Sequence, residues 1–217
     1  MSLRERKKQK LREAIYSTAI KLFSRKGFDK VTIKDITNKV DISKATFFNY
    51  FPSKEAILPH FLSQRLDEVK NQLAEETKQS MSAVKKLQHL IVLISKMVAD
   101  NELLLKWVLI ETFRLRAYQK KGHVEVSEKI RKSMEEILIE GKNNGEFNGE
   151  MDPKMTADIL ESVLFVSAVR RVTILKNSDT SLTENLLKKV NYLLGEFKRD
   201  ESLTHAQYDA PSRILTE

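Results

Sequence analysis

There is no cysteine anywhere in the 217 residues. A disulfide framework and a thiolate metal site are both excluded. Glycine (6) and proline (4) are scarce, which suits helices joined by short connections. No stretch approaches the roughly 18 consecutive apolar residues of a membrane helix. The first residues are charged and lack the apolar core of a signal peptide, so the expectation is a soluble cytoplasmic protein with no membrane partner. The four histidines, His60, His89, His123 and His205, are scattered. They form no H-x-x-x-H pair, and no acidic cluster accompanies them. No glycine-rich phosphate loop follows a strand, and no strand pattern is evident. The expectation is therefore no enzyme, no metal and no cofactor.

What is present is unevenly placed charge. Residues 1–55 hold 14 Lys and Arg against 6 Asp and Glu, whereas residues 56–217 hold 24 of each. The whole net charge of +8 thus sits in the first quarter of the chain. A localised cationic excess is the electrostatic footprint of a nucleic-acid-binding segment. The hydrophobic content of 41% is enough for a sizeable core in the remainder.

Within the basic quarter, Thr32 to Lys54 reads as two short helices around a tight turn. Thr32 is an N-cap, with Asp35 three residues on completing a capping-box pattern and Val31 and Ile36 forming a hydrophobic staple. Ile33, Ile36 and Val40 recur at helical spacing. Asp41 tolerates the left-handed backbone the turn needs. Ser43 caps a second helix of about two turns, roughly 12 Å long, which Pro52 closes. On a wheel, Phe47 and Phe51 share the inward face and Ala45 and Asn49 the outward one. Lys44 and Phe48 flank it on one side, Thr46 and Tyr50 on the other. A small, polar, aromatic outer face with a cation at its start suits close approach to phosphates and base edges.

The runs V-T-I-K-D-I and I-S-K-A-T-F-F-N-Y-F-P-S-K-E resemble the DNA-binding signature of the tetracycline-repressor (TetR) family of bacterial transcriptional regulators. With the preceding helix, the resemblance covers about Leu11 to Leu58. It implies that Lys44, Ala45, Thr46, Phe48, Asn49 and Tyr50 face the groove and backbone of duplex DNA, with Ser43 at the start of that set. Thr32 and Lys54 would hold phosphates at helix N-termini, and Asn49 is the candidate for a base-edge contact, since its amide can read adenine. Three positions depart from the family pattern. Asp41 and Ala45 stand where glycine is usual or frequent. Phe48 replaces the usual tyrosine, so the phosphate bond of that hydroxyl is lost.

The rest reads as helix throughout. Residues 1–8 form a mobile basic arm, and a helix from about Lys8 to Lys26 ends at Gly27. A fourth helix opens at Ser53, with Pro59 kinking it or loosening its first turn. Asn101 is a candidate cap for a helix carrying Trp107 and Glu111. Another helix ends near Gly145, and Asp152-Pro153 is a cap followed by proline at the first helical position. Two helices are over-supplied with apolar residues: about 153–175 carries them around most of its circumference, and about 182–197 as a wide stripe. Such helices need burial on two sides. One reading places them at the centre of the monomer. The family resemblance favours the other, in which they pair with a second copy as a homodimer. Trp107, Phe113, Tyr118 and Phe165 are candidate walls of a ligand cavity, with Glu111 as a polar orienter; plain core packing is the alternative.

These readings combine into an all-α fold of about nine helices. A helix-turn-helix domain spans 1–52, a ligand-binding and dimerisation domain 53–200, and a polar tail 201–217. The resemblance implies a ligand-responsive transcriptional regulator, more often a repressor, binding near-palindromic operator DNA and answering to a small-molecule effector. The rival reading is a helical small-molecule-binding protein whose basic N-terminal domain docks an acidic protein partner.

Overall fold

The structure is a computed structural model that describes residues 2–77, 81–113, 121–173 and 181–197, with the side chains of 113 and 121–124 excepted. The expected polar tail and Tyr118 lie outside the described residues. The described chain is all-helical: α1 (Leu3–Lys26), α2 (Ile33–Val40), α3 (Lys44–Phe48), α4 (Ile57–Glu76), α5 (Ala83–Asp100), α6 (Glu102–Phe113), α7 (Lys121–Asn143), α8 (Pro153–Thr173) and α9 (Leu182–Gly195). No β-strand occurs among these residues.

The first three helices close on Ile15, Ala19, Phe23, Phe28, Val31, Ile36, Phe47 and Phe51, all buried. Helix α1 ends where expected. Gly27 takes φ +88° and its amide bonds the Phe23 carbonyl at 2.9 Å; its positive φ is open to glycine at little cost. Phe28 then folds back edge-on to Phe23, with ring centroids 4.9 Å apart. The beginning of α1 corrects the expected mobile arm. Ser2 caps the helix and forms a capping box with Glu5, so residues 3–8 are helical although no apolar stripe announces them.

Helix α4 starts at Ile57 rather than after Ser53. Ser53 Oγ accepts from the Ala56 amide, while Ile57 and Leu58 donate to the carbonyls of Lys54 and Glu55. Those short-range bonds make a preparatory turn that leaves Pro59 in the first turn of the helix, where its missing amide costs little. This is the loosened start that Pro59 demands. Ile57, Leu58 and Phe61 bury this turn.

Around α5 the remaining helices form a bundle. Gly141 of α7 marks a close approach: a Cβ there would lie 2.4 Å from the Phe147 ring and 2.5 Å from Ala83 Cβ. Glu146 receives the Ala83 amide on both carboxylate oxygens at 2.9 and 2.8 Å, so the loop after α7 caps α5. Asp152 Oδ1 accepts from the Lys154 and Met155 amides at 2.9 and 3.1 Å, which fixes the start of α8. Asn101 does not cap α6 through its side chain. Its amide instead donates to the Met97 carbonyl at 2.8 Å and closes α5.

Candidate nucleic-acid interface

Helix α2 is locked at its start by reciprocal bonds. The Thr32 amide donates to Asp35 Oδ2 at 2.8 Å, the Thr32 hydroxyl to the same oxygen at 2.6 Å, and the Asp35 amide to Thr32 Oγ1 at 3.2 Å. These bonds, led by the hydroxyl, hold the Asp35 carboxyl below its ordinary range. Asp41 ends α2 at φ 59°, ψ 56°, and is the sole non-glycine with positive φ among the described residues. The amide of Ile42 returns to the Thr37 carbonyl at 3.0 Å. The turn thus closes on α2 itself and delivers Ser43 in extended conformation, ready to cap.

Helix α3 is short. Ser43 Oγ accepts from the Thr46 amide at 3.0 Å and lies 2.9 Å from the Thr46 hydroxyl. After Phe48 the coil tightens, with the Tyr50 and Phe51 amides both reaching the Phe47 carbonyl at 3.0 Å. Phe47 and Phe51 are buried. On the opposite side Ser43, Lys44, Ala45, Phe48 and Asn49 are exposed, and Thr46 and Tyr50 are half-buried. Phe48 is 49% exposed and packs edge-on against Phe47 at 5.6 Å. The Asn49 side chain makes no hydrogen bond among the described residues, so its amide donors and acceptor are available. Thr32 is exposed beside this face.

Lys54 departs from its expected place. It does not sit at a helix N-terminus, because α4 begins three residues later. Its ammonium donates to the carbonyls of Phe28 and Val31 at 2.7 and 2.8 Å and lies 4.3 Å from the Phe28 ring centroid. It staples the α1–α2 loop to the chain after α3. Sequence gives no sign of this, since the partners lie 23 and 26 residues away.

The second candidate region is a cavity of about 490 Å3. Its walls come from α4 (Pro59, Leu62), α5 (Met97), α6 (Val108, Leu109), α7 (Ile130) and α8 (Leu164, Phe165). They are mostly apolar, with Thr112, Ser127 and Glu161 as polar points; Ser127 Oγ donates to Glu161 Oε1 at 2.9 Å. Of the expected lining residues, Phe165 is in the wall. Trp107 is not: its ring packs on Phe28 at 5.3 Å, at the seam between α6 and the three-helix domain. Glu111 is buried in α6 beside the wall residue Thr112. The Phe113 side chain lies outside the described residues. Sequence reasoning missed Leu62, Met97 and Ile130, whose apolar periodicity is that of any core residue.

One turn of α4 touches both regions. Pro59 and Leu62 face the cavity, while His60 lies 5.0 Å from the Tyr16 ring and 5.8 Å from Phe51. Burial pushes the Tyr16 hydroxyl up to about 12 and, followed by the charge of Arg12, holds the His60 imidazole below its ordinary value.

A three-helix helix-turn-helix unit with an exposed outer face, carried on an all-helical body that encloses an apolar cavity, defines the class of this protein. Residues 15–60 match the family model described as bacterial regulatory proteins, tetR family. Over 173 residues the chain is 23% identical to the HTH-type transcriptional repressor DhaR of Mycobacterium sp. (strain GP1), covering 78% of this chain and 85% of that one. It is 42% identical over 62 residues to YuxN of Bacillus subtilis (strain 168), an uncharacterised HTH-type transcriptional regulator. That match takes in 29% of this chain and spans only 20% of the length of YuxN. Among solved structures it is similar to Thermus thermophilus FadR, a TetR-family transcriptional repressor in complex with lauroyl-CoA. The TM-score is 0.74 at 25% identity, covering 92% of this chain and 98% of that one. Residues 15–60 thus carry a tetR-type DNA-binding domain, and the likeness to the Thermus structure extends over 92% of this chain. No described helix is long and apolar enough to cross a membrane.

Proposed function

We propose that this protein is a cytoplasmic, ligand-responsive transcriptional repressor that binds near-palindromic operator DNA as a homodimer. The observation that carries the reading is the outer face of α3. Lys44, Ala45, Phe48 and Asn49 are exposed together on a helix whose other side is anchored by Phe47 and Phe51. A rigid, shallow, cationic-tipped helix fits a major groove. In this reading Ser43, Thr46 and Tyr50 border the contact, Thr32 meets a neighbouring phosphate, and Lys54 positions the unit from behind.

Two features support the rest. Met155, Ile159 and Val166 are exposed on one side of α8, an apolar stripe suited to a second copy through 153–175 and 182–197. Two copies would set two reading helices in successive major grooves. The apolar cavity suits an elongated, largely apolar effector, in keeping with the lauroyl-CoA bound by the Thermus relative. An effector pressing on Pro59 and Leu62 acts on the same helical turn that seats His60 against Tyr16 and Phe51. It therefore favours one disposition of the reading domain over another, and affinity for DNA shifts by that difference. Residues 1–52 form the reading domain and 53–200 the effector and dimer domain.

The test is selection of duplexes from a random library, followed by Asn49→Ala. The wild type is expected to enrich a near-palindromic sequence. The variant is expected to lose about 1–3 kcal/mol on that sequence and little on random DNA. Failure to enrich any sequence overturns the reading; equal losses on both DNAs remove Asn49 from base recognition.

A further inference from the structure

The first turns of α1 have no packing to explain them. Every residue from Ser2 to Lys10 is exposed, and Leu11 is only half-buried. The segment is nevertheless helical, fixed by the Ser2–Glu5 box, in which the Ser2 amide donates to Glu5 Oε2 at 2.7 Å and Ser2 Oγ accepts from the Glu5 amide at 3.2 Å. About 13 Å of helix therefore runs on beyond the place where α1 last meets the three-helix domain. It is strongly cationic: Arg4, Arg6, Lys7, Lys8, Lys10 and Arg12 stand against Glu5 and Glu13.

These cations differ in direction. With Arg4 set at zero on a wheel of 100° per residue, Lys8 falls at about 40° and Arg12 at about 80°. The buried residues Ile15, Ala19 and Phe23 fall at about 20°, 60° and 100° on the same wheel. Arg4, Lys8 and Arg12 thus prolong the face with which α1 packs on its domain, whereas Arg6 and Lys10, at about 200° and 240°, point away. Arg12 shows where this face leads. Its guanidinium carbon lies 5.5 Å from the ring centroid of Phe51, just past the reading helix. Glu5 shares the stripe, but its carboxylate is turned back onto the Ser2 amide.

We propose that Arg4, Lys8 and Arg12 form a second DNA-contacting surface on the same three-helix domain as α3, which grips the phosphates flanking the bases that α3 reads. The inference rests on the DNA-binding reading above and extends it. Charge complementarity, and a place on the same small domain as α3 with Arg12 beside the segment that follows it, select duplex DNA as the occupant. A bare helix of solvated lysines kept for solubility would have no preferred side, and that difference can be measured.

The experiment compares Arg4→Gln/Lys8→Gln with Arg6→Gln/Lys10→Gln. Both pairs remove two charges from the same exposed turns, and glutamine keeps helix propensity. Binding is measured over a range of salt on a duplex that the wild type has selected from a random library. The first pair is expected to lower the slope of log affinity against log salt by nearly two per protomer and to weaken binding at least tenfold. The second pair is expected to stay within about twofold of wild type, with helicity and melting unchanged in both. Trimming the duplex to its base-read core should close the gap between wild type and the first pair. Equal losses for the two pairs, or no loss for the first, overturn the inference while the DNA-binding reading stands. A wild type that selects no duplex overturns both.

Discussion

Helix α3 and the apolar cavity are built on opposite plans. Helix α3 is held almost wholly by its neighbours in sequence: Ser43 caps it, Asp41 turns into it, and Phe47 and Phe51 anchor it to a domain fifty residues long. Its outer face is left open. The cavity draws its walls from five helices spread over more than a hundred residues, from Pro59 to Val172. Atoms facing that space lack partners on one side, so their packing is incomplete by construction. In the proposed function, the contrast teaches how one chain combines a reader with a sensor. The first is closed by local caps and a buried aromatic pair, and the second keeps unfilled volume bounded by distant elements.

The largest test of that contrast is a pair of truncations. Phe47→Ala empties a fully buried site and is expected to cost about 3–5 kcal/mol in denaturant unfolding. Leu109→Ala at the cavity wall should fall at or below the low end of the leucine range, about 2 kcal/mol, because one side of that residue already lacks neighbours. Costs of similar size, adjusted for residue volume, would mean that the cavity is as tightly packed as the reader.

The next effect is smaller and concerns Lys54. Lys54→Met keeps the stem and removes the ammonium, leaving the Phe28 and Val31 carbonyls without that donor. A loss of about 1–3 kcal/mol of stability is expected. The salt dependence of DNA binding should stay that of the wild type, since the ammonium is spent inside the protein. A slope lowered by about one would show instead that Lys54 meets a phosphate, as the sequence pattern suggests.

The same contrast decides what was legible beforehand. The capping box at Thr32, the left-handed turn at Asp41, the cap at Ser43 and the split of α3 into Phe47–Phe51 and Ala45–Asn49 faces are all written within a few residues of one another. The three-residue spacing of Ser2 and Glu5 was equally local, but charged neighbours on both sides made a helix start look like a free arm. The place of Lys54 escapes the sequence for a different reason: the carbonyls it bonds belong to a loop that only the folded domain brings near. Trp107 is only a candidate wall by sequence, with core packing as the alternative, because a lone aromatic on an apolar helix fits a wall or a seam equally well. Which one it joins depends on where Phe28 lies, and no periodicity in α6 records that. Wall residues such as Met97 and Ile130 look like core because they are core, apart from a space no single helix defines.

The smallest effect lies at the junction of the two regions, on His60. Its imidazole is packed against Tyr16 and Phe51 and lies 3.4 Å from the Gln64 amide nitrogen. Burial disfavours the charged ring first, and Arg12 of α1 adds to this; Lys129 of α7 acts in the same direction, while Glu13 of α1 opposes them. The folded-state pKa is therefore below the ordinary 6.5. In acid the unfolded chain takes up the proton more readily than the folded one, so stability falls as pH drops below about 6.5. Above pH 7 both states are neutral there and the contribution is complete. Melting followed from pH 7.5 to 5.5 should decline in the wild type and decline less in His60→Gln, which keeps a polar group of similar reach without the titration. If the two profiles run parallel, the ring is solvated in both states. The turn of α4 shared by reader and cavity would then be looser than its aromatic contacts imply, and an effector would have less leverage on the reading helix through it.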